Sequence, residues 1–147
     1  MKVKIKQIDA KFADIALPAY STTGSAGMDV CAAISEDLTL AAGKIAMVPT
    51  NLSIELPAGY ECQVRSRSGL AAKNGVFCLN APGTIDSDYR GEINVILANF
   101  SGADFVIKRG MRIAQLVIAR YETAEWEVVR ELSDTKRAAG GFGSTGV

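Results

Sequence analysis

Two aspartates, a tyrosine and an arginine crowd into the middle of Ala81-Pro82-Gly83-Thr84-Ile85-Asp86-Ser87-Asp88-Tyr89-Arg90-Gly91-Glu92-Ile93. An apolar floor mixed with carboxylates, a phenol and a guanidinium suits a site better than a core. Gly83, Ser87, Asp88 and Gly91 are turn formers, and Ile93 to Leu97 reads as a return strand. The stretch therefore predicts a β-hairpin with Asp86 near its bend. A carboxylate held there can orient a water molecule or take its proton, provided an electrophile lies within hydrogen-bond reach. The plainer alternative is that Asp86 and Asp88 only close Asx turns.

Four more segments share this glycine-rich, polar make-up between strand-like runs. They are Ala26 to Ala32, Arg67 to Ala71, Arg109 to Val117 and Arg137 to Gly146. Arg67-Ser68-Gly69 opens a short helix, so its unpaired N–H groups can receive an anion; it can equally be an ordinary N-cap beside a solvent arginine. Alternation through Arg112 to Val117 puts Ile113, Gln115 and Val117 on one face and Arg112, Ala114 and Leu116 on the other. A glutamine among core-facing residues needs a partner, either neighbouring backbone or a ligand. Asp29, in a turn-like context after Gly27, is a turn former, an arginine partner or a site carboxylate. Phe142, set among glycines, gives the tail an apolar anchor between flexible spacers, which a lid requires and a linker does not.

The elements that must hold these residues read as strands. Period-two or β-branched runs occupy Val3 to Ile8, Leu38 to Leu40, Lys44 to Val48, Leu52 to Leu56, Tyr60 to Arg65, Gly75 to Leu79, Glu92 to Phe100, Phe105 to Lys108, Arg112 to Arg120 and Trp126 to Val129. Turn chemistry separates them, which predicts an all-β, jelly-roll-like sandwich or barrel. Only Ser68 to Asn74 looks helical, with Ser68 as N-cap and Asn74-Gly75 as the stop. Apolar periodicity ends at Ser133, so the expectation is a β domain over 1–132 and a mobile C-terminal lid over 133–147.

Composition excludes several classes of chemistry. The 147 residues, nearly half hydrophobic, suffice for one domain with a core. Sixteen lysines and arginines balance sixteen aspartates and glutamates, so no global field attracts nucleic acid or an anionic membrane. There is no histidine, which removes Ser-His-Asp and Cys-His catalysis and histidine-containing zinc sites. Cys31, Cys62 and Cys78 lack metal spacing and are odd in number, which points to buried thiols in a reducing, cytoplasmic-type compartment. The N-terminal run alternates charged with apolar residues and reads as a strand, with neither a signal peptide nor a membrane span expected.

In order and spacing, the five segments resemble the five motifs of the trimeric deoxyuridine triphosphatases, over Ala26 to Gly146. One departure is Ser66, where that family usually has proline. The resemblance implies hydrolysis of dUTP to dUMP and pyrophosphate, which keeps uracil out of DNA and supplies dUMP for dTMP synthesis. It implies phosphate contacts from Arg67, Ser68 and Gly69, and from Gln115, which touches phosphate or the ordered water, with Arg112 steadying the site. Asn80 and the exposed backbone about Gly83, Thr84 and Ile85 would read uracil, and Asn94 would join the substrate contacts. Tyr89 would lie under the deoxyribose, where a 2'-hydroxyl would collide with it. Asp86 would be the base, and Asp29 would act through water on a magnesium ion held chiefly by phosphate oxygens. Arg137, Phe142, Gly143, Ser144 and Thr145 would close the site, and a homotrimer would share its sites among three chains. A related deoxycytidine triphosphate deaminase and a noncatalytic β-sandwich module are the rival readings. The Thr84 to Tyr89 hairpin argues against the first, and the combination of Asp86, Gln115 and the lid against the second.

Overall fold

The computed structural model describes residues 1–141. Its strands are β1 (Lys4–Gln7), β2 (Met28–Cys31), β3 (Leu38–Leu40), β4 (Ile45–Pro49), β5 (Leu52–Glu55), β6 (Tyr60–Arg65), β7 (Val76–Cys78), β8 (Gly83–Ile85), β9 (Asn94–Asn99), β10 (Phe105–Ile107) and β11 (Arg112–Arg120), with one helix, α1 (Ser68–Asn74). All named pairings are antiparallel. One sheet runs β2-β11-β6-β8 and a second β4-β9-β7, and the pairs β1-β5 and β10-β3 complete the walls. This is the all-β, jelly-roll-like architecture expected. Among the described residues no helix is long and apolar enough to cross a membrane.

Alternation explains why these runs become strands. In β5 Leu52 and Ile54 are buried while Ser53 and Glu55 are partly exposed, and β9 sends Val95 and Leu97 inward. Val30, Leu40, Val48, Val76, Leu97, Ile107 and Ile113 from several strands meet in one apolar cluster, each nearly or fully inaccessible. Burying each such side chain contributes about 1.5–3 kcal/mol, so the cluster is what holds the sheets face to face. A register shift between Arg112 and Ala114 breaks strict alternation at the start of β11. It turns both Ile113 and Ala114 inward and leaves Gln115 half-buried, which differs from the simple two-face pattern expected of that strand.

Three local expectations are corrected. Ser68 is the first helical residue and not the N-cap: Arg67 holds the cap position in extended geometry, φ −85° and ψ 125°, and no side chain caps the helix. The reason is that Arg67 continues the line of β6 while its guanidinium turns to another partner. Gly75 does end the helix, at φ 63°, where its N–H bonds back to Leu70 and Ala71 carbonyls. Trp126 to Val129 forms no strand; Trp126 and Val128 are 91% and 97% exposed because no strand of the chain lies alongside to pair with them. Among the described residues regular structure ends at Arg120.

The third correction concerns Asp86. β8 pairs with β6 through Gln63↔Thr84 and Val64↔Gly83, whereas β9 pairs with β4 and β7. The two arms of the expected hairpin therefore belong to different sheets, and the segment from Asp86 to Ile93 crosses between them. A turn bond from Tyr89 N–H to the Asp86 carbonyl, 3.2 Å, folds the crossing.

Candidate active site

The crossing segment builds a cleft of about 250 Å³ lined by Met47, Thr84, Ile85, Asp86, Tyr89, Glu92, Ile93 and Asn94. Asp86 sits one residue beyond β8, exposed to solvent, while Ile85 beside it is buried against β6. A rigid strand end thus carries a water-accessible carboxylate. Tyr89 is 45% exposed, its hydroxyl donates to the Glu92 carbonyl at 2.9 Å, and its ring lies over Gly91, where any Cβ would overlap the phenol. Asn94 donates to the same carbonyl at 3.2 Å. Gly83 is buried, and an added Cβ would press on the Asn80 amide, 3.0 Å, and on Val64, 3.3 Å. That close approach keeps Asn80 against the start of β8.

A second cluster forms around Asp29, which lies on β2 and not in a turn, opposite Gln115 of β11. Its two oxygens divide between two arginines: Arg67 Nε donates to one and Arg112 Nη1 to the other, both at 2.9 Å. Arg67 also donates to the Arg112 carbonyl at 3.2 Å. These charge-assisted bonds hold the Arg67 guanidinium at two points and tether the more exposed Arg112 at one. Gln115 Nε2 donates to the Ser66 carbonyl at 2.9 Å, which answers the question of its partner: neighbouring backbone. Its Oε1 is directed at Gly27, where a Cβ would collide with it. Ser68 and Gly69 are exposed in the first turn of α1, next to this cluster in sequence. Asp29 and Arg112 line a small cleft of about 160 Å³ with Ala16, Leu17, Ala19, Ser21 and Cys31.

One chain therefore brings Thr84, Ile85, Asp86, Tyr89 and Asn94 together in one cleft, and Asp29, Arg67 and Arg112 together by direct bonds elsewhere, with Gln115 beside Asp29 in strand register. Arg137 is apart from both, with Nε on the Gly140 carbonyl at 2.9 Å. Phe142, Gly143, Ser144 and Thr145 lie outside the described residues. Three residues lining the Asp86 cleft, Met47, Glu92 and Ile93, are not among the site groups expected from the sequence. Glu92 could have been suspected from its place in the polar segment, whereas Met47 enters the cleft only because β4 pairs with β9, Met47↔Ile96, which no local signal reveals.

The thiols do not belong to either group as nucleophiles. Cys62 is fully buried, and desolvation followed by the charge of Glu61 pushes its pKa up to about 11. Burial, with a smaller effect of Asp29, also raises Cys31, and burial raises Cys78. All three cysteines are free. Among the described residues no group of three or more His, Cys, Asp or Glu side chains could hold a metal ion.

An antiparallel sandwich with an exposed carboxylate in one cleft and paired guanidinium groups in another has the make-up of an all-β phosphohydrolase. The family model for dUTPase matches residues 13–146, and the chain belongs to that family. It is 55% identical over 147 residues to a deoxyuridine 5'-triphosphate nucleotidohydrolase of Orientia tsutsugamushi (strain Boryong), covering 100% of this chain and 99% of that one. The dUTPase of Staphylococcus bacteriophage 80alpha, solved with dUpNHpp, matches with a TM-score of 0.83 at 25% identity over 99% of each chain. The dUTPase from phage phi11 of S. aureus, solved with a structural Mg(II) ion, shares the fold with a TM-score of 0.80 at 21% identity, covering 91% of this chain and 100% of that one.

Proposed function

We propose that the protein is a dUTP diphosphatase, hydrolysing dUTP to dUMP and pyrophosphate by in-line attack of water on the α-phosphorus. The observation that carries this reading is the 55% identity, from end to end, to a deoxyuridine 5'-triphosphate nucleotidohydrolase. Asp86 orients the water and takes its proton, since it is the exposed carboxylate at the rigid end of β8. Tyr89 supports the deoxyribose, and Asn80 with the β8 backbone reads uracil. Cytosine presents a donor where uracil presents O4, so an acceptor-matched pocket would leave polar groups unpaired with it. Arg67, Ser68, Gly69, Arg112 and Gln115 receive the phosphates, and the tail with Arg137 closes over them.

The magnesium site is tested against the donors present. Each Asp29 oxygen accepts one arginine bond and keeps acceptor capacity for a metal-bound water. With no protein cage among the described residues, this set fits an ion that arrives on the triphosphate and keeps several waters. When bound, Mg2+ offsets charge on the phosphate oxygens. Arg67 and Arg112, held by Asp29, do the same from the protein side.

Because the resemblance to the trimeric deoxyuridine triphosphatases implies three chains, and the Asp86 cleft and the Asp29 cluster are separate groups on one chain, we infer a homotrimer in which a site takes its parts from neighbouring chains. The test is product analysis with dUTP and Mg2+. dUMP and pyrophosphate without ammonia are expected; ammonia from dCTP would indicate a deaminase, and no turnover would leave a noncatalytic module. Mixing inactive Asp86→Asn and Asp29→Asn chains should restore part of the activity, and a mixture as dead as its components would sink the shared-site reading.

A further inference from the structure

Glu92 is bonded in two directions. Its carboxylate Oε1 accepts the Asn51 backbone N–H at 2.7 Å. Its carbonyl oxygen accepts both the Tyr89 hydroxyl, 2.9 Å, and Asn94 Nδ2, 3.2 Å. Asn51 is a firm anchor: it is 4% exposed and sits at φ 62°, a left-handed conformation that asparagine tolerates better than most residues. Its side chain closes a reciprocal pair with Asp9, accepting the N–H at 2.7 Å and donating to the carbonyl at 3.1 Å. On either side of Asn51, Thr50 Oγ1 donates to the Ile93 carbonyl at 2.6 Å and the Ile93 N–H donates to the Leu52 carbonyl at 2.8 Å. The β4–β5 turn thus grips the backbone at Glu92 and Ile93 from both sides.

The Tyr89 backbone is tied by its N–H to the Asp86 carbonyl at 3.2 Å and by its carbonyl to Arg90 Nη1 at 2.8 Å, but its side chain makes a single hydrogen bond. It is nearly half exposed, and its hydroxyl reaches the protein through the Glu92 carbonyl. We propose that Glu92 is a positioning residue for sugar selection: anchored on Asn51, it fixes the phenol of Tyr89 at the height that leaves room for deoxyribose and none for a 2'-hydroxyl. The inference rests on the reading that Tyr89 lies under the sugar. Loss of the carboxylate would leave the buried Asn51 N–H unpaired and loosen the Glu92 carbonyl, because the bonds that remain hold Ile93 and not Glu92. The ring would follow, and the space that shuts out a 2'-hydroxyl would open.

The experiment measures kcat/KM for dUTP and for UTP, with Mg2+, in full-length Glu92→Ala, Glu92→Gln, Tyr89→Phe and Tyr89→Ala. Glu92→Ala should lower the dUTP-over-UTP ratio about tenfold, and Tyr89→Phe, which cuts the same link from its other end, by a similar factor. Glu92→Gln keeps an acceptor oxygen and should hold the ratio within about threefold, and the Glu92→Ala/Tyr89→Phe double variant should fall no further than either single one. A merely structural Glu92 would lower the melting temperature and both activities alike, leaving the ratio unmoved, and that result overturns the proposal. If Glu92→Ala does not fold, an unchanged ratio in Tyr89→Phe overturns it instead. A ratio altered by Tyr89→Ala but not by Glu92→Ala or Tyr89→Phe sinks this inference alone, whereas a ratio that Tyr89→Ala also leaves intact removes the sugar reading beneath it.

Discussion

The Ser66 hydroxyl accepts the Cys78 backbone N–H at 2.9 Å, tying the chain just past β6 to the end of β7. Its carbonyl meanwhile holds Gln115. Where the family usually has proline, this chain replaces ring stiffness with a hydrogen bond. Ser66→Ala should cost about 1–3 kcal/mol, because the Cys78 N–H is left buried without its partner. A thermal melt would register this as a loss of roughly 3 °C per kcal/mol. An unchanged midpoint would mean that water takes over the serine's place.

Asp86→Asn keeps the shape at the end of β8 and loses the basicity. With the fold and nucleotide binding intact, turnover should fall at least about a hundredfold, the scale of a positioned base. Steady-state kinetics beside a binding titration separate the two effects, and turnover within about threefold of wild type would remove Asp86 from the role.

Gly27 leaves room for the Gln115 carboxamide, and a methyl there would occupy the place of Oε1. Gly27→Ala should therefore swing Gln115 off the Ser66 carbonyl and lower activity as far as Gln115→Ala does. The double variant should be no worse than either single one, since both remove the same interaction. Additive losses would show that Gly27 matters for another reason.

Truncation after Asp134 removes Arg137 and the glycine-rich terminus but nothing of the apolar cluster, since the last strand ends at Arg120. Circular dichroism should stay native while dUTP turnover drops substantially. Full activity would reduce the tail to a linker.

Stability should fall at both ends of the pH range. Arg109 holds Asp14 below its ordinary 3.8, and Lys4 holds Glu55 below 4.5. Their contributions are complete above those values and are lost as the pH drops through the depressed ones. Both carboxylates are exposed, so the acid effect should be small and should shrink further with salt. Cys62 works in the opposite sense: its thiol, raised from 9.0 to about 11, stays protonated in the fold while the unfolded thiol ionises. Its contribution is present below pH 9.0 and vanishes as the pH climbs to about 11. Melting curves of Cys62→Ala against wild type should converge over that alkaline window, and a constant gap would refute the assignment.

Local chemistry made much of this legible. β3, β6, β11 and α1 occupy the bounds that alternation and stop signals mark out. β2 did not declare itself, because four residues behind Ser25-Ala26-Gly27 look like the end of a turn; only pairing with β11 makes them a strand. The Asp86 segment misled for a related reason. Its glycines and aspartates describe a bend, but which strands flank that bend depends on Gln63 and Val64 on one side and Ala46 and Val48 on the other, all distant in sequence. The site residues were visible as types, while the bonds joining Asp29 to both arginines, and the anchoring of Glu92 on Asn51, belong to register alone.

The chain's single tryptophan, Trp126, stands beyond the last strand with 91% of its surface in water. In the single chain its emission would be that of a hydrated indole before any denaturant is added, and unfolding of the sheets would hardly change it. An intrinsic-fluorescence melt of the lone chain would thus miss the transition that ellipticity records. The same placement makes the indole a natural reporter for anything that comes to cover the segment after Arg120: a blue shift on adding nucleotide or on raising protein concentration would signal that contact without any label.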